Sequence, residues 1–235
     1  MIWRWLIFFS AALALPAASV SGDVEITNSR DAAVRKHKDY TGVVLWLEPV
    51  DRPAPAAPPG KRVTMVQRDK RFTPHVLAIP LGSTVDFPNF DPIFHNAFSN
   101  FNGQPFDIGL YPPGKTRSVP FTRPGIVRVF CNIHPTMSAI IAVLATPWYA
   151  VTPPLGKFTI EGVPAGEYQL RIFHERAVPE NLKTLERRIT VPETGIALPL
   201  ISISETGFTP APHLNKFGKE YPPVNEGDVY PGAQK

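Results

Sequence analysis

The chain has 235 residues, long enough for one large domain or two modest ones. Its 24 Lys and Arg against 20 Asp and Glu leave a net charge of +4, with the basic residues scattered rather than clustered, which argues against a nucleic-acid binder. A single cysteine cannot close an internal disulfide, and 28 prolines among dispersed Val, Ile and Phe favour short strands and turns over helices.

The N-terminus reads MIWRWLIFFSAALALPAASVSGDVE. Arg4 precedes an apolar run from Trp5 to Ala18, and small residues follow it. The run is too short to span a bilayer comfortably, so residues 1–22 are expected to be a cleaved export signal, with no membrane span afterwards.

DVEI and TGVVLWLEPV then read as strands within residues 23–50, and the stiff segment DRPAPAAPPGK, residues 51–61, reads as a linker. From Arg62 onward strand signals come densely: RVTMVQ, HVLAIP, STVDFPN, FHNAFS, TRSVPF, IVRVFC and SAIIAVLA. LG, YPPGK and RPG punctuate them as turns, and SNFNGQPFDIGLYPPGK reads as a longer ordered loop. This spacing predicts a β-sandwich over residues 62–146. A second module follows over 147–205, where GKFTIEGVPAGEYQLRIFHE alternates around a VPAG turn and LERRITV and IALPLISI continue it. Residues 206–235, rich in Pro and Gly, are expected to form a loosely held tail.

The chemistry gathers in VFCNIHPTMSAIIAV, residues 129–143. Side chains alternate along a strand, so Val127, Val129 and Cys131 share one face and the thiol points into the core. His134 and Met137 come off the turn that follows. Thiolate, imidazole and thioether together suit copper, and two His and one Cys in a plane with a weak axial Met describe a blue-copper electron-transfer site. That needs a second histidine. NFDPIFHNAFS supplies His95 as a candidate, and its neighbour Asn96 is placed to hydrogen-bond across to the ligand loop. Phe94, Phe98 and Phe130 are candidates for keeping such a site dry. His75 is a structural residue, a cap near the site or an extra ligand; His174 reads as structural, and His37 and His213 as exposed.

Other readings stay open on the residues alone. Cys131 can be an inert buried thiol, or a nucleophile with His134 or His95 as base. Met137 has no role in the latter chemistry, and the thiol faces the core. The chain contains no His-x-His, which excludes a trinuclear copper cluster.

Residues 62–146 resemble a cupredoxin. The spacing Cys, two residues, His, Pro, one residue, Met is similar to the ligand loop of amicyanin. FHNAFS resembles the segment carrying the first histidine of that family, and GSTVDFPNFD the strand leading into it. GKFTIEGVPAGEYQL resembles the transthyretin-like sandwich of carboxypeptidase regulatory-like domains. Such domains begin with a strand pair like DYTGVVLWLEP, which here precedes the first sandwich, so the cupredoxin is expected to be inserted into the second domain. The whole chain resembles exported cupredoxins of the methylamine-utilization type. The resemblance implies an all-β fold, a cupredoxin Greek-key β-sandwich plus a smaller transthyretin-like β-sandwich formed by 23–50 with 147–205. It implies one type 1 copper held by His95, Cys131, His134 and Met137. It further implies a periplasmic carrier of single electrons rather than an enzyme, with a c-type cytochrome or a dehydrogenase as redox partner. Copper binding and delivery, or an interaction module without redox turnover, are the alternatives; the absence of Met- or His-rich tracts weighs against delivery.

Overall fold

The protein, represented by a computed structural model, is described over residues 18–55, 60–100, 103–210 and 212–221. In chain order the elements are β1 (Ala18–Thr27), α1 (Ala32–His37), β2 (Val44–Pro49), β3 (Arg62–Thr64), β4 (Val66–Arg68), β5 (Arg71–Thr73), β6 (Val76–Pro80), β7 (Thr84–Pro88), β8 (Phe98–Ser99), β9 (Phe106–Asp107), β10 (Thr116–Pro120), β11 (Gly125–Phe130), β12 (Ser138–Leu144), β13 (Tyr149–Val151), β14 (Lys157–Val163), β15 (Gly166–Phe173), α2 (Pro179–Lys183), β16 (Arg187–Val191), β17 (Ile196–Ala197) and β18 (Ile201–Ser204). The fold is all-β; α1 and α2 are short connectors of 6 and 5 residues.

One pair of sheets combines strands from residues 18–49 with strands from residues 149–204. β14, β1 and β17 lie side by side, with β18 also on β1, and β13, β2, β15 and β16 form the facing sheet. The alternation of β15 decides which face is inward. Tyr168, Leu170 and Ile172 are buried against Leu45 and Leu47 of β2, and Gln169 and Arg171 face out. The Trp148 ring meets Tyr168 edge to face at 5.4 Å.

β1 begins inside the segment expected to be the leader. Ala18 pairs with Val163 and Asp23 with Lys157 of β14, Val20 pairs with Ile196 of β17, and Ala18 and Val20 are buried. Gly195 packs directly on this strand at φ +79°, where a Cβ would stand 2.6 Å from the Ser19 carbonyl oxygen. Residues 18–22 therefore belong to a packed sheet, whose apolar, small-residue sequence resembles the end of a leader. Residues 1–17 lie outside the described residues.

The remaining strands are contiguous in sequence and lie between β2 and β13. β10, β7 and β3 form one sheet, and β6, β12, β11, β8 and β9 another. Between them lie Val85, Phe87, Phe121, Val129 and Ile141. After Ser138, β12 is apolar from Ala139 to Leu144 because both its faces are covered. Ala139, Ile141 and Val143 face this core, whereas Ala142 and Leu144 pack with Ala78 against Val44 of β2. The second contact joins the two sandwiches.

FHNAFS is less regular than expected: only Phe98 and Ser99 form a strand, and His95 makes an isolated bridge to Tyr111. The tail also differs from expectation, since residues 212–221 pack against Phe130, Cys131 and Asn132 through several hydrogen bonds and a stacked ring.

Candidate metal centre

Three elements bring the chemistry-bearing residues together. β11 carries Val127 and Val129 inward, and Cys131, one residue past its end, continues on that face with 0% exposure. The turn after it is closed by the Met137 N–H donating to the His134 carbonyl at 3.1 Å, and by the Cys131 N–H donating to the Met137 carbonyl at 3.2 Å. This turn holds the His134 ring at the same point as the thiol. Met137 is fully buried in the same core.

His95 arrives from the loop between β7 and β8. Asn89, itself fully buried, shapes that loop: its Oδ1 accepts the Asp91 N–H at 3.0 Å, and its Nδ2 donates to the Ile93 carbonyl at 2.8 Å. The bridge to Tyr111 then fixes the His95 backbone, with N–H to carbonyl distances of 3.2 and 2.9 Å. The expected tie from Asn96 is present, its Oδ1 accepting the Asn132 N–H at 3.3 Å. Its Nδ2 donates to Asp107 at 2.7 Å.

The ligand atoms of His95, Cys131 and His134 all lie within 4.8 Å of one another, and all three residues are buried. Cys131 Sγ stands 3.8 Å from His95 Nδ1 and 3.7 Å from His134 Nδ1. The two rings are 5.0 Å apart at 63°. A thiol has one proton and satisfies at most one of these nitrogens. A cation among the three satisfies all of them. Bonds of about 2.0 Å to nitrogen and about 2.3 Å to sulfur, roughly 120° apart, put N and S about 3.7 Å from each other, so the spacing fits a metal.

Asp91 is the residue that sequence reasoning missed. Its Oδ2 lies 2.6 Å from His95 Nε2. A carboxylate accepts, so Nε2 carries the proton and the free lone pair of Nδ1 faces the sulfur. Oδ1 accepts the Asp69 N–H at 2.6 Å and Oδ2 the Lys70 N–H at 2.9 Å. Both these residues have φ 53°, the left-handed turn joining β4 to β5. One carboxylate thus pins a left-handed turn and orients the His95 ring. Nothing in the spacing of Asp91 announces this; only its position four residues before His95 could have drawn notice.

The electrostatics favour neutral donors. Burial pushes the Cys131 thiol up, above its ordinary value, so an approaching cation must displace its proton. Burial pulls His134 down to about 4, with His95 adding to the effect. Burial also lowers His95, against the opposing pull of Asp91. For Asp91 burial acts upward, but the Lys70 amide, the His95 ring and the Asp69 amide together hold it below the usual carboxylate range.

Other expected residues lie elsewhere. Phe98 and Phe130 pack against each other, ring centroids 5.9 Å apart, outside the core that holds Cys131, because Phe130 alternates with Val129 and Cys131 and faces the opposite way. Phe94 is only half-buried. Phe87 and Tyr111 occupy the sandwich core that holds Cys131 instead. His75 is not part of the cluster: its Nδ1 donates to the Ser138 carbonyl at 3.1 Å and its Nε2 pairs with Glu175 at 2.7 Å, tying one sandwich to the other. His174 is a buried partner of Glu205, and His37 is exposed. His213, expected to be exposed, is half-buried on Phe130.

Among solved structures, a purple cupredoxin from Nitrosopumilus maritimus is similar at 24% identity, covering 35% of this chain and 99% of that one with a TM-score of 0.33. An oxidized amicyanin variant is similar at 19% identity over 35% of this chain and 82% of that one, TM-score 0.34. A copper-containing nitrite reductase from Thermus scotoductus SA-01 is similar at 28% identity over 52% of this chain, which spans 28% of the reductase, TM-score 0.34. No protein-family model matches the chain, and no curated protein matches it. The solved structures to which the chain is similar thus include cupredoxins, over part of its length.

Proposed function

We propose that the protein is an exported, periplasmic electron carrier with one type 1 copper held by His95, Cys131, His134 and Met137. The observation that supports it most is the convergence of two imidazole nitrogens on one buried sulfur, at 3.8 and 3.7 Å. When bound, copper in this donor set supplies one-electron Cu(I)/Cu(II) exchange.

The chain's own residues account for the rest. Cys131 would hold the copper as its thiolate. Asp91 keeps the His95 ring in the tautomer that ligates. Met137, buried in the same core, would supply its thioether as the fourth donor. His134 keeps 8% exposure whereas His95 has none, so it is the port to the surface, with Pro135 and Thr136 beside it as the docking patch. The donors lie on loop and turn segments pinned by backbone hydrogen bonds at His95, Cys131 and Met137, so little rearrangement would accompany each electron. The cupredoxin unit spans 62–146 and is inserted into the regulatory-like sandwich, which positions it toward a partner such as a c-type cytochrome or a dehydrogenase. Among the described residues no helix is long and apolar enough to cross a membrane.

The test is a visible absorption titration of the mature protein with Cu(II), beside a Cys131→Ser control. The reading requires an intense thiolate-to-copper band that saturates at one copper per chain, bleaches with one electron and is absent in the control. Copper uptake that ignores the Cys131 change would sink it.

A further inference from the structure

The segment from Pro212 to Tyr221 is a strap along the end of β11. The ladder of β11 stops at Phe130, whose partners are Ser138 and Phe98. The Cys131 carbonyl has therefore left the sheet and needs a donor from elsewhere. Tyr221 provides it, its hydroxyl donating to that carbonyl at 2.7 Å. His213 Nδ1 lies 3.2 Å from the same hydroxyl and 3.3 Å from the Leu214 carbonyl. The hydroxyl's one proton goes to the Cys131 carbonyl, so toward that oxygen Nδ1 is the donor, its single proton shared with the Leu214 carbonyl. The bonds then run in one direction, from His213 through the Tyr221 hydroxyl to Cys131.

The grip extends to both neighbours. The His213 ring stacks on Phe130, centroids 4.0 Å apart at 25°. The Lys216 N–H donates to Asn132 Oδ1 at 3.0 Å, and its ammonium pairs with Asp107 at 2.8 Å. Phe130, Cys131 and Asn132 are thus each held by a different strap residue, and the middle one carries the thiol. The Cys131 N–H is already tied to the Met137 carbonyl at 3.2 Å. With its carbonyl tied as well, the peptide planes on both sides of the Cys131 Cα are fixed, and so is the direction of its Cα–Cβ bond.

We propose that Tyr221 is a positioning residue for the Cys131 thiolate: the strap locks the backbone from which the sulfur hangs and so sets its aim at His95 and His134. This rests on the copper reading of the same site. It assigns the C-terminal strap to the metal centre rather than to a free tail.

Tyr221→Phe in the full chain keeps the ring and removes only the donor. In metal-free protein the rate of Cys131 alkylation by iodoacetamide is expected to rise about fivefold, the scale of one net hydrogen bond. In copper-loaded protein the visible band is expected to shift and copper release to a chelator to quicken. Phe217→Ala, on the same strap but with its ring 70% exposed, is expected to change none of these. An unchanged alkylation rate overturns the proposal. Faster alkylation with an unmoved band would make the strap a cover only, and overturns the positioning role. Absence of a thiolate band in the unaltered protein would sink the copper reading instead, and the alkylation rates would still judge the strap.

Discussion

Asp91 and His95 are joined by a 2.6 Å hydrogen bond with exposures of only 6% and 0%, and this bond decides which nitrogen of the ring faces Cys131. Asp91→Asn keeps the shape and removes the charge. Outer-sphere partners of a ligating histidine typically carry about 10- to 100-fold in metal affinity, and a loss of that size is expected here. Competition titration against a chelator measures it. An affinity equal to that of the unaltered protein would mean that Asp91 serves only the turn at Asp69 and Lys70.

The pH dependence of the metal-free fold follows from His134. Its imidazole protonates near 6.5 in an unfolded chain and only near about 4 when folded. Between these values the unfolded chain holds more protons, so stability rises with pH and is lost as pH falls through the window. Urea midpoints taken above and below the window are expected to fall for the unaltered protein and to fall less for His134→Gln. Burial lowers His95 and His174 too, which accounts for a residual slope. Equal losses in both proteins would remove His134 from the account.

Met137 separates packing from ligation. It is fully buried, so Met137→Ala is expected to cost about 2–5 kcal/mol. Met137→Leu conserves volume and should cost less than about 1.5 kcal/mol. If the thioether is the axial ligand, the Leu variant keeps its copper but moves its reduction potential, as voltammetry would show. A potential unchanged by loss of the sulfur would rule out the axial role.

The joint between the sandwiches holds by apolar contact more than by charge. Leu144 is 3% exposed, and Leu144→Ala is expected to cost about 2–5 kcal/mol. The His75–Glu175 pair has side chains 47% and 22% exposed, and such a pair carries about 1 kcal/mol or less. Its hydrogen bond to Glu175 raises the His75 value, so its contribution is present below the ordinary imidazole value of 6.5 and is lost as pH rises through the raised one. Thermal unfolding of both variants checks the order; a larger loss in His75→Gln would reverse it.

Much of the site was legible because its spacing is local. Cys131, His134 and Met137 sit within one turn, and alternation from Val127 and Val129 aims the thiol inward. The same alternation turns Phe130 away from the site, a consequence that the aromatic character of the segment obscured. Asp91 was illegible because its partners are the amides of Asp69 and Lys70, remote in sequence. The strap was illegible for a related reason. Its composition resembles that of a loose tail, and its hold depends on single contacts from His213, Lys216 and Tyr221. β1 was half hidden because Ala18–Gly22 continues the small, apolar character of the segment before it.

The pairing of Ala18 and Val20 in β1 bears on processing. A leader cut after residue 22 would strip half of that strand from β14. If a leader is removed, intact mass is therefore expected to place the mature N-terminus upstream of Val20, and a chain starting at Asp23 would contradict this.

The central claim is that two histidines and the one cysteine hold the metal. X-ray absorption fine structure of the copper-loaded protein tests it most directly. The account predicts one short copper–sulfur bond and two imidazole nitrogens around each copper. A shell of nitrogen and oxygen without sulfur would contradict it.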